Sequence, residues 1–522
     1  MKTLDLVIIF GYLVGIVLVG AWFSRKQETT RDYFLGDRTV PWWAIAASIV
    51  ATETSTITFI SVPGIAYARA GNFQFLQLVM GYLLGRVVIS LLFIPLYFRG
   101  DLLTVYQLLD QRFGSKIKML ASSLFIVMRN IADGIRLLLT AIVLAAVYVS
   151  FQPAANSETI VIASIILLGV VMIIFTFFGG MEAVIWIEVV QLGIYIGGAL
   201  AAAIVIAQSV NGGWGAALAV GAQYDKFNWI DFGWRPTELS FLNPFSGSEI
   251  FKFTAPLDFT KTYTFWAGLV GGCFLNMSTH GTDQYLVQRY LCTDKPRRAA
   301  LALLSSGAVV LAQFIGFLFI GVLLFAFYHP YTDANYANAA PNFPFTGGDK
   351  VFPDFITQHL PTGLSGLVVA AIFAAALSSS LNSIAATAVT DLYKPFKPNA
   401  DDKHLFRVSQ ILTLVWGVAQ IAVALYTRHS DASALSKALS IASLINGPIL
   451  GVFLVGSFLK RVSQTPALIG MLTSCAFMLC VFWSTKIAWT WYVLLGSSVT
   501  FIVSWLASFA FTASEKTVQT EV

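Results

Sequence analysis

A run of hydroxyl and carboxyl side chains stands in the middle of an apolar stretch. Ala51-Thr52-Glu53-Thr54-Ser55-Thr56-Ile57-Thr58 holds six polar residues in eight, and Ser61-Val62-Pro63-Gly64 follows. One or two such hydroxyls can bond back to their own helix; six, with a carboxylate among them, cannot. A helix broken near 52–56 accounts for the run, because its freed carbonyls and hydroxyls are hard oxygen ligands for an ion or a polar solute. A second concentration, Ser378-Ser379-Ser380 with Asn382-Ser383, follows Phe373-Ala374-Ala375-Ala376. The small residues suit close helix packing, and neutral hydroxyls suit a weakly held sodium ion. Arg129, Asp133 and Arg136 are spaced i, i+4 and i, i+3, so all three can share one helix face beside Asn130. They form either a self-neutralised structural cluster or one in which an arginine keeps donors for a solute carboxylate or hydroxyl. Glu188 lies about two turns into a further apolar stretch, with Gln191 a turn beyond. Glu182, at its mouth, reads as a helix-dipole partner.

These residues need a scaffold that hides them from lipid, and the composition says what kind. Of 522 residues 57% are hydrophobic and 11% charged, with a mean hydropathy of +0.75. A soluble domain carries about 25% charged residues. The balance excludes a cytosolic enzyme, a secreted module, a disordered chain and a nucleic-acid binder. The net charge of +5 sits in short loops between apolar runs and reads as a topology signal. The four cysteines show no paired framework or metal spacing, and the five histidines show neither a metal spacing nor a serine partner. No pore loop is visible.

A membrane helix needs about 20 mostly apolar residues. Thirteen stretches qualify: a leading helix near 4–23, then helices 1 to 12 near 41–67, 74–98, 119–149, 160–178, 183–207, 264–287, 300–328, 363–390, 408–427, 438–459, 466–484 and 488–511. The leading stretch lacks a basic n-region and a cleavage site, so it reads as a retained span. With the N-terminus outside, nineteen Lys and Arg fall in the inside loops and ten outside, four of the ten in the long 208–262 loop where the rule is weak. The expected topology is N-out and C-in, in a cell (inner) membrane. The loops 208–262 and 329–362 mix aromatics, prolines and acids and are expected to be ordered caps. After Thr512 only about ten residues remain, and no soluble domain is expected.

Taken in order, several segments resemble the sodium/solute symporter family, which includes sodium-coupled transporters of galactose, proline, sialic acid, iodide and vitamins. They are Asp32-Tyr33-Phe34-Leu35-Gly36 with Pro41-Trp42-Trp43; Ala51-Thr52, Ser55, Thr58-Phe59 and Pro63-Gly64; and Thr104-Val105-Tyr106-Gln107 with Arg112-Phe113-Gly114. Gly179-Gly180-Met181-Glu182-Ala183-Val184-Ile185-Trp186, Asp283-Gln284 with Val287-Gln288-Arg289-Tyr290-Leu291, and Asn382-Ser383 with Thr390-Asp391-Leu392-Tyr393-Lys394 continue the match. The resemblance implies an all-α membrane protein with a LeuT-type 5+5 inverted-repeat bundle, helices 1 and 6 broken. Residues 1–40 then form the leading helix and its loop, 41–262 the first repeat, 263–462 the second, and 463–522 helices 11 and 12 with a tail. Ala51 and Thr54 match backbone ligands of a common sodium site. Ser55 and Thr58 on helix 1, Asn276 on helix 6 and the inner-gate position Thr279 match substrate-facing places; Gln77 and Arg136 complete the expected substrate set. Thr279 is small where the family often has an aromatic gate, and Glu188 stands where it usually has aspartate. Counted back without gaps from Asn382-Ser383, the paired Ser/Thr of the common sodium site become Ala375 and Ala376, and Ser378 and Ser379 match a second site beside Glu188. A three-residue deletion instead returns Ser378 and Ser379 to the common site. The expected sodium set is thus Ala51, Thr54, Ala375, Ser378, Ser379 and Glu188, the last facing Ser378 and Ser379 from helix 5.

The expected function is sodium-driven symport, by alternating access, of a small organic solute: a sugar, a sugar acid or another organic acid. Sodium is the co-transported ion, and the lipid bilayer is the other partner. The same fold driven by protons through Glu53 or Glu188 is the alternative; an enzyme or a channel is a distant one.

Overall fold

The computed structural model describes residues 2–23, 29–54, 56–100, 102–152, 156–243, 246–328, 348–377, 380–428 and 434–511. Its apolar runs fold as helices because a backbone away from water must satisfy its own polar groups. The leading helix is Thr3–Phe23. Helix 1 is two segments, Trp42–Glu53 and Thr56–Tyr67; helix 2 is Leu76–Leu92 and helix 3 is Ser115–Phe151. Helices 4 and 5 lie in one stretch, Ser157–Ser209, turned at Gly180, where φ is +59° and a side chain would be strained. Helix 6 is a π-turn, Ala267–Gly271, then Gly272–Gly281 and Gln284–Leu291. Helix 7 is Pro296–Tyr328. Helix 8 comprises Leu364–Leu377, Leu381–Thr387 and a π-turn Ala388–Tyr393. Helices 9 to 12 are Asp402–Thr427, Ala434–Phe458, Gln464–Ser484 and Tyr492–Ala510.

Seven described helices are long and apolar enough to cross a membrane, eight if the two parts of helix 1, bent by 56°, count as one. Thirteen spans were expected. Three further helices are apolar over their described side chains, at Thr3–Ile16, Leu364–Phe373 and Ala442–Phe458. Among the described residues helix 6 is divided into short segments, and helix 3 carries Arg129, Asp133 and Arg136 in its middle. A two-stranded antiparallel hairpin in the 208–262 loop, β1 (Thr237–Leu242) on β2 (Glu249–Ala255), corrects the all-helical expectation. Phe241 stacks on Phe251 across it at 4.7 Å.

Two contacts place the site helices. A Cβ on Gly81 would stand 2.1 Å from the Gly268 carbonyl oxygen, so helices 2 and 6 touch backbone to backbone. The second part of helix 1 is anchored through Phe59, whose ring lies 5.2 to 5.4 Å from Phe317, Phe352 and Tyr195; such pairs add about 0.5–1.5 kcal/mol each. The leading helix docks on helix 8 through buried Asp5, whose Oδ1 accepts from Gly363 N–H (2.7 Å), Ser365 Oγ–H (2.9 Å) and Gly366 N–H (3.0 Å).

The 208–262 loop is braced by charges of its own and tied to the end of helix 1 by one buried lysine. Asp231 accepts from Lys261 (2.6 Å), Arg235 (2.7 Å) and Gly233 N–H (3.0 Å). Burial alone would raise its carboxyl, and these donors outweigh it, bringing it down to about 2. Lys226 is fully buried and donates to the carbonyls of Tyr67 (3.4 Å), Ala68 (2.5 Å) and Arg69 (3.2 Å) at the end of helix 1, above the Phe325 ring. Lys226→Met is therefore expected to destabilise the detergent-solubilised protein by about 1–3 kcal/mol, the cost of leaving buried carbonyls without a donor. A thermal unfolding midpoint equal to that of the unaltered protein would contradict it.

Candidate functional site

The first part of helix 1 stops at Thr54, whose φ and ψ of −78° and 58° are not helical. Thr58 Oγ turns back to donate to the Glu53 carbonyl (2.8 Å). Thr54 Oγ lies 2.6 Å from the Val50 carbonyl and 2.7 Å from Gln313 Oε1 on helix 7. Helix 6 is interrupted opposite, at Thr282 and Asp283, and Asp283 caps its continuation by accepting from Tyr285 N–H (2.9 Å). Between them lies a cavity of about 550 Å³, reached by Thr58, Ser61, Asn276, Thr279, Arg129 and Arg136, with Tyr82, Tyr263 and Tyr285 in its wall. Thr58, Arg136, Asn276 and Thr279 thus come together as the sequence predicts.

Gln77 does not join them. Its amide donates to the carbonyls of Gln74 (3.2 Å) and Tyr263 (3.3 Å), and its oxygen accepts from Asp231 N–H (2.9 Å). It is buried as a tie between helix 2 and the 208–262 loop, a correction to its expected substrate role. A glutamine on an apolar helix meets a cavity or a backbone equally well, and only the loop's path decides.

The helix 3 cluster divides. Arg129 forms an ion pair with Asp283 on helix 6 and lies over the Tyr285 ring at 4.6 Å, not with Asp133 one turn away. Asp133 stays with Arg136 (3.4 Å) and also accepts from Ser380 on helix 8. Both arginines line the cavity, although only Arg136 belongs to the expected substrate set.

Three site residues were missed from sequence. Arg86 on helix 2 pairs with Glu53, and His280 Nε2 lies against the same carboxylate oxygen. Asn276 Nδ2 and Thr279 Oγ lie 3.0 and 2.9 Å from His280 Nδ1. A lone arginine inside an apolar span was the available signal for Arg86, since charge there costs about 2.5–3.5 kcal/mol on insertion scales. The third is Arg289, read from sequence as a loop charge. It is fully buried and donates to Glu188 through Nη2 (2.6 Å) and Nε (3.4 Å). Ser48 Oγ and Thr52 Oγ (3.0 Å) also donate to Glu188. The carboxylate expected to face a second sodium faces a guanidinium of its own chain, because the end of helix 6 folds in beneath helix 1.

Of the expected sodium set, Ala51 is buried in helix 1 and Thr54 ends its first segment. Ala375 lies in Leu364–Leu377. Ser378 and Ser379, like Ser55 of the substrate set, lie outside the described residues. Among the described residues no group of three or more His, Cys, Asp or Glu could hold a metal. The oxygens around the helix 1 break are hydroxyls, an amide, carbonyls and the carboxylate of Glu53, which Arg86 pairs.

Comparisons with known proteins agree with this architecture. The chain is 31% identical over 97% of its length to the sodium/sialic acid symporter NanT of Aliivibrio fischeri, covering 93% of that protein. It is 30% identical over 94% of its length to the sodium/sialic acid symporter SiaT of Proteus mirabilis, covering 92%. Its fold superimposes on the substrate-bound outward-open state of a Na+-coupled sialic acid symporter with a TM-score of 0.81, 28% identity and 98% of each chain covered. The model of the sodium:solute symporter family matches residues 33–474. A multi-pass bundle with a polar cavity at interrupted helices, homologous end to end with sodium-coupled carriers, is a transporter and not an enzyme: the chain belongs to the sodium:solute symporter family and moves a small organic solute with sodium by alternating access.

Proposed function

We propose that the solute is a sugar acid of the sialic acid class, its carboxylate received by Arg136 and its hydroxyl and amide groups by Thr58, Asn276 and Thr279. The observation that carries this is a cavity with a guanidinium in its wall whose one ion-pair partner among the described residues, Asp133, stands at 3.4 Å. Arg129, by contrast, is committed to Asp283. A planar fork presented to a cavity suits a carboxylate, and relatives named for sialic acid add weight. Proteoliposome uptake of N-acetylneuraminic acid under an inward sodium gradient tests the reading: uptake should vanish when choline replaces sodium. Accumulation driven by a proton gradient alone would favour the proton-coupled alternative.

In this proposal the chain adopts the LeuT-type inverted repeat, helices 1 and 6 act as broken spans, and the N-terminus lies outside a cell (inner) membrane with the C-terminus inside. One sodium sits at the carbonyls of Ala51, Thr54 and Ala375 and the hydroxyls of Ser378 and Ser379. Glu188 holds Arg289 where a second cation would otherwise be wanted. Ser378→Ala or Ser379→Ala is then expected to raise the sodium needed for half-maximal uptake by roughly fivefold or more, since losing a bond to a charged group costs about 1.5–3 kcal/mol. Solute affinity at saturating sodium should change far less. An unaltered sodium curve in both variants would reject the assignment.

A further inference from the structure

One carboxylate joins the solute cavity to Ser380, the N-cap of Leu381–Thr387 on helix 8. Asp133, on helix 3 and 3% exposed, accepts at Oδ2 from the Ser380 N–H (3.0 Å) and from the Ser380 hydroxyl. Its other oxygen, Oδ1, is 3.4 Å from Arg136 Nη1 and accepts no hydrogen bond from the described residues. One oxygen is committed to helix 8; the other is left for the arginine that lines the cavity. Ser380 directly follows Ser378 and Ser379 and precedes Leu381–Thr387. The neighbouring cation, Arg129, is taken by Asp283, so Arg136 is the guanidinium Asp133 can gain or lose.

We propose that Asp133 is the positioning residue that couples solute binding to sodium binding. A solute carboxylate on Arg136 competes with Asp133 for the same fork. That changes how strongly Asp133 holds Ser380 on helix 8. Sodium seated on helix 8 fixes Ser380, hence Asp133, and sets the fork of Arg136 before the solute arrives. In a buried, low-dielectric setting these charge-assisted bonds are strong enough to transmit such a change. The coupling must be reciprocal, and couplings of this kind lie at about 5–150-fold. The inference rests on the reading of Arg136 as the solute's carboxylate ligand and of helix 8 as a sodium element, so its test begins without solute.

Asp133→Asn keeps an oxygen for both Ser380 donors and turns an amide toward Arg136, preserving the helix 8 contact and removing the ion pair. The full-length protein in lipid nanodiscs is titrated with sodium against choline at constant ionic strength, reading the midpoint of sodium-dependent thermal stabilisation. Arg136→Gln is expected to move that midpoint by about threefold or more when Asp133 is present and by less than about 1.5-fold in the Asp133→Asn background, the signature of a shared pathway. Equal shifts in both backgrounds would overturn the proposal. Ser380→Ala runs the same cycle from the helix 8 end if Asp133→Asn yields no folded protein. In the second arm, saturating sodium should tighten N-acetylneuraminic acid binding by about fivefold or more in the unaltered protein and by less than about twofold in Asp133→Asn. Full coupling in the variant overturns the proposal. Absence of any N-acetylneuraminic acid binding in the unaltered protein rejects the solute reading alone, and the solute-free cycle still decides the role of Asp133.

Discussion

Glu188→Gln is expected to destabilise the protein by about 3–5 kcal/mol, because it leaves a buried guanidinium without its counter-ion. Arg289 and Glu188 have side chains 1% and 0% exposed, with Nη2 and Oε1 2.6 Å apart. Glutamine keeps one acceptor for Ser48, Thr52 or Arg289 and loses the charge that all three address. The measurement is thermal unfolding in detergent, with sodium and with choline. The loss should be equal in both salts and should shrink in Glu188→Gln combined with Arg289→Gln, since the double variant removes both buried charges. If Glu188 served a second sodium instead, the unaltered protein would gain stability from sodium that the single variant forfeits, and removing Arg289 would restore nothing. The sodium Hill coefficient of uptake is expected to be one before the substitution as well as after it.

Arg136→Lys is expected to lower the uptake efficiency for N-acetylneuraminic acid by roughly tenfold to a hundredfold. Lysine keeps the positive charge but replaces a planar fork with a single point donor, and losing one charge-assisted bond costs about 1.5–3 kcal/mol. The loss should fall mainly on the apparent KM, because the group acts in binding. Arg129→Lys serves as the contrast: Arg129 is bound to Asp283 across helices 3 and 6, so its replacement should lower thermal stability as well as transport. Uptake in Arg136→Lys equal to that of the unaltered protein would make the helix 3 cluster structural and move the solute's carboxylate elsewhere in the cavity.

The membrane class, the helical stretches and the polar centre of helix 1 are properties of local sequence, and they were legible for that reason. Hydropathy over about 20 residues decides what can cross lipid. A chain with 57% hydrophobic and 11% charged residues has few other ways to fold. Arg136 was legible because a polar side chain in an apolar span must have a use, whereas Thr58, Asn276 and Thr279 were placed by the family resemblance; the cavity brings all four to one place.

Which polar group meets which was not legible, because ion pairs in a bundle form between helices. Local spacing offers Arg129 to Asp133; the fold gives it to Asp283, 154 positions along the chain. Local composition makes Arg289 a loop charge; the fold buries it against Glu188, 101 positions away. Gln77 lies on helix 2 and is spent on a loop, while Arg86 and His280 converge on Glu53 from helices 2 and 6. Hydropathy and spacing mark Glu53, Glu188, Arg129, Asp133 and Arg136 as charges within helices, but not Arg86 or Arg289. Only the tertiary structure decided their partners, since a buried charge pays for its desolvation with the nearest opposite charge in space, whatever the separation along the chain.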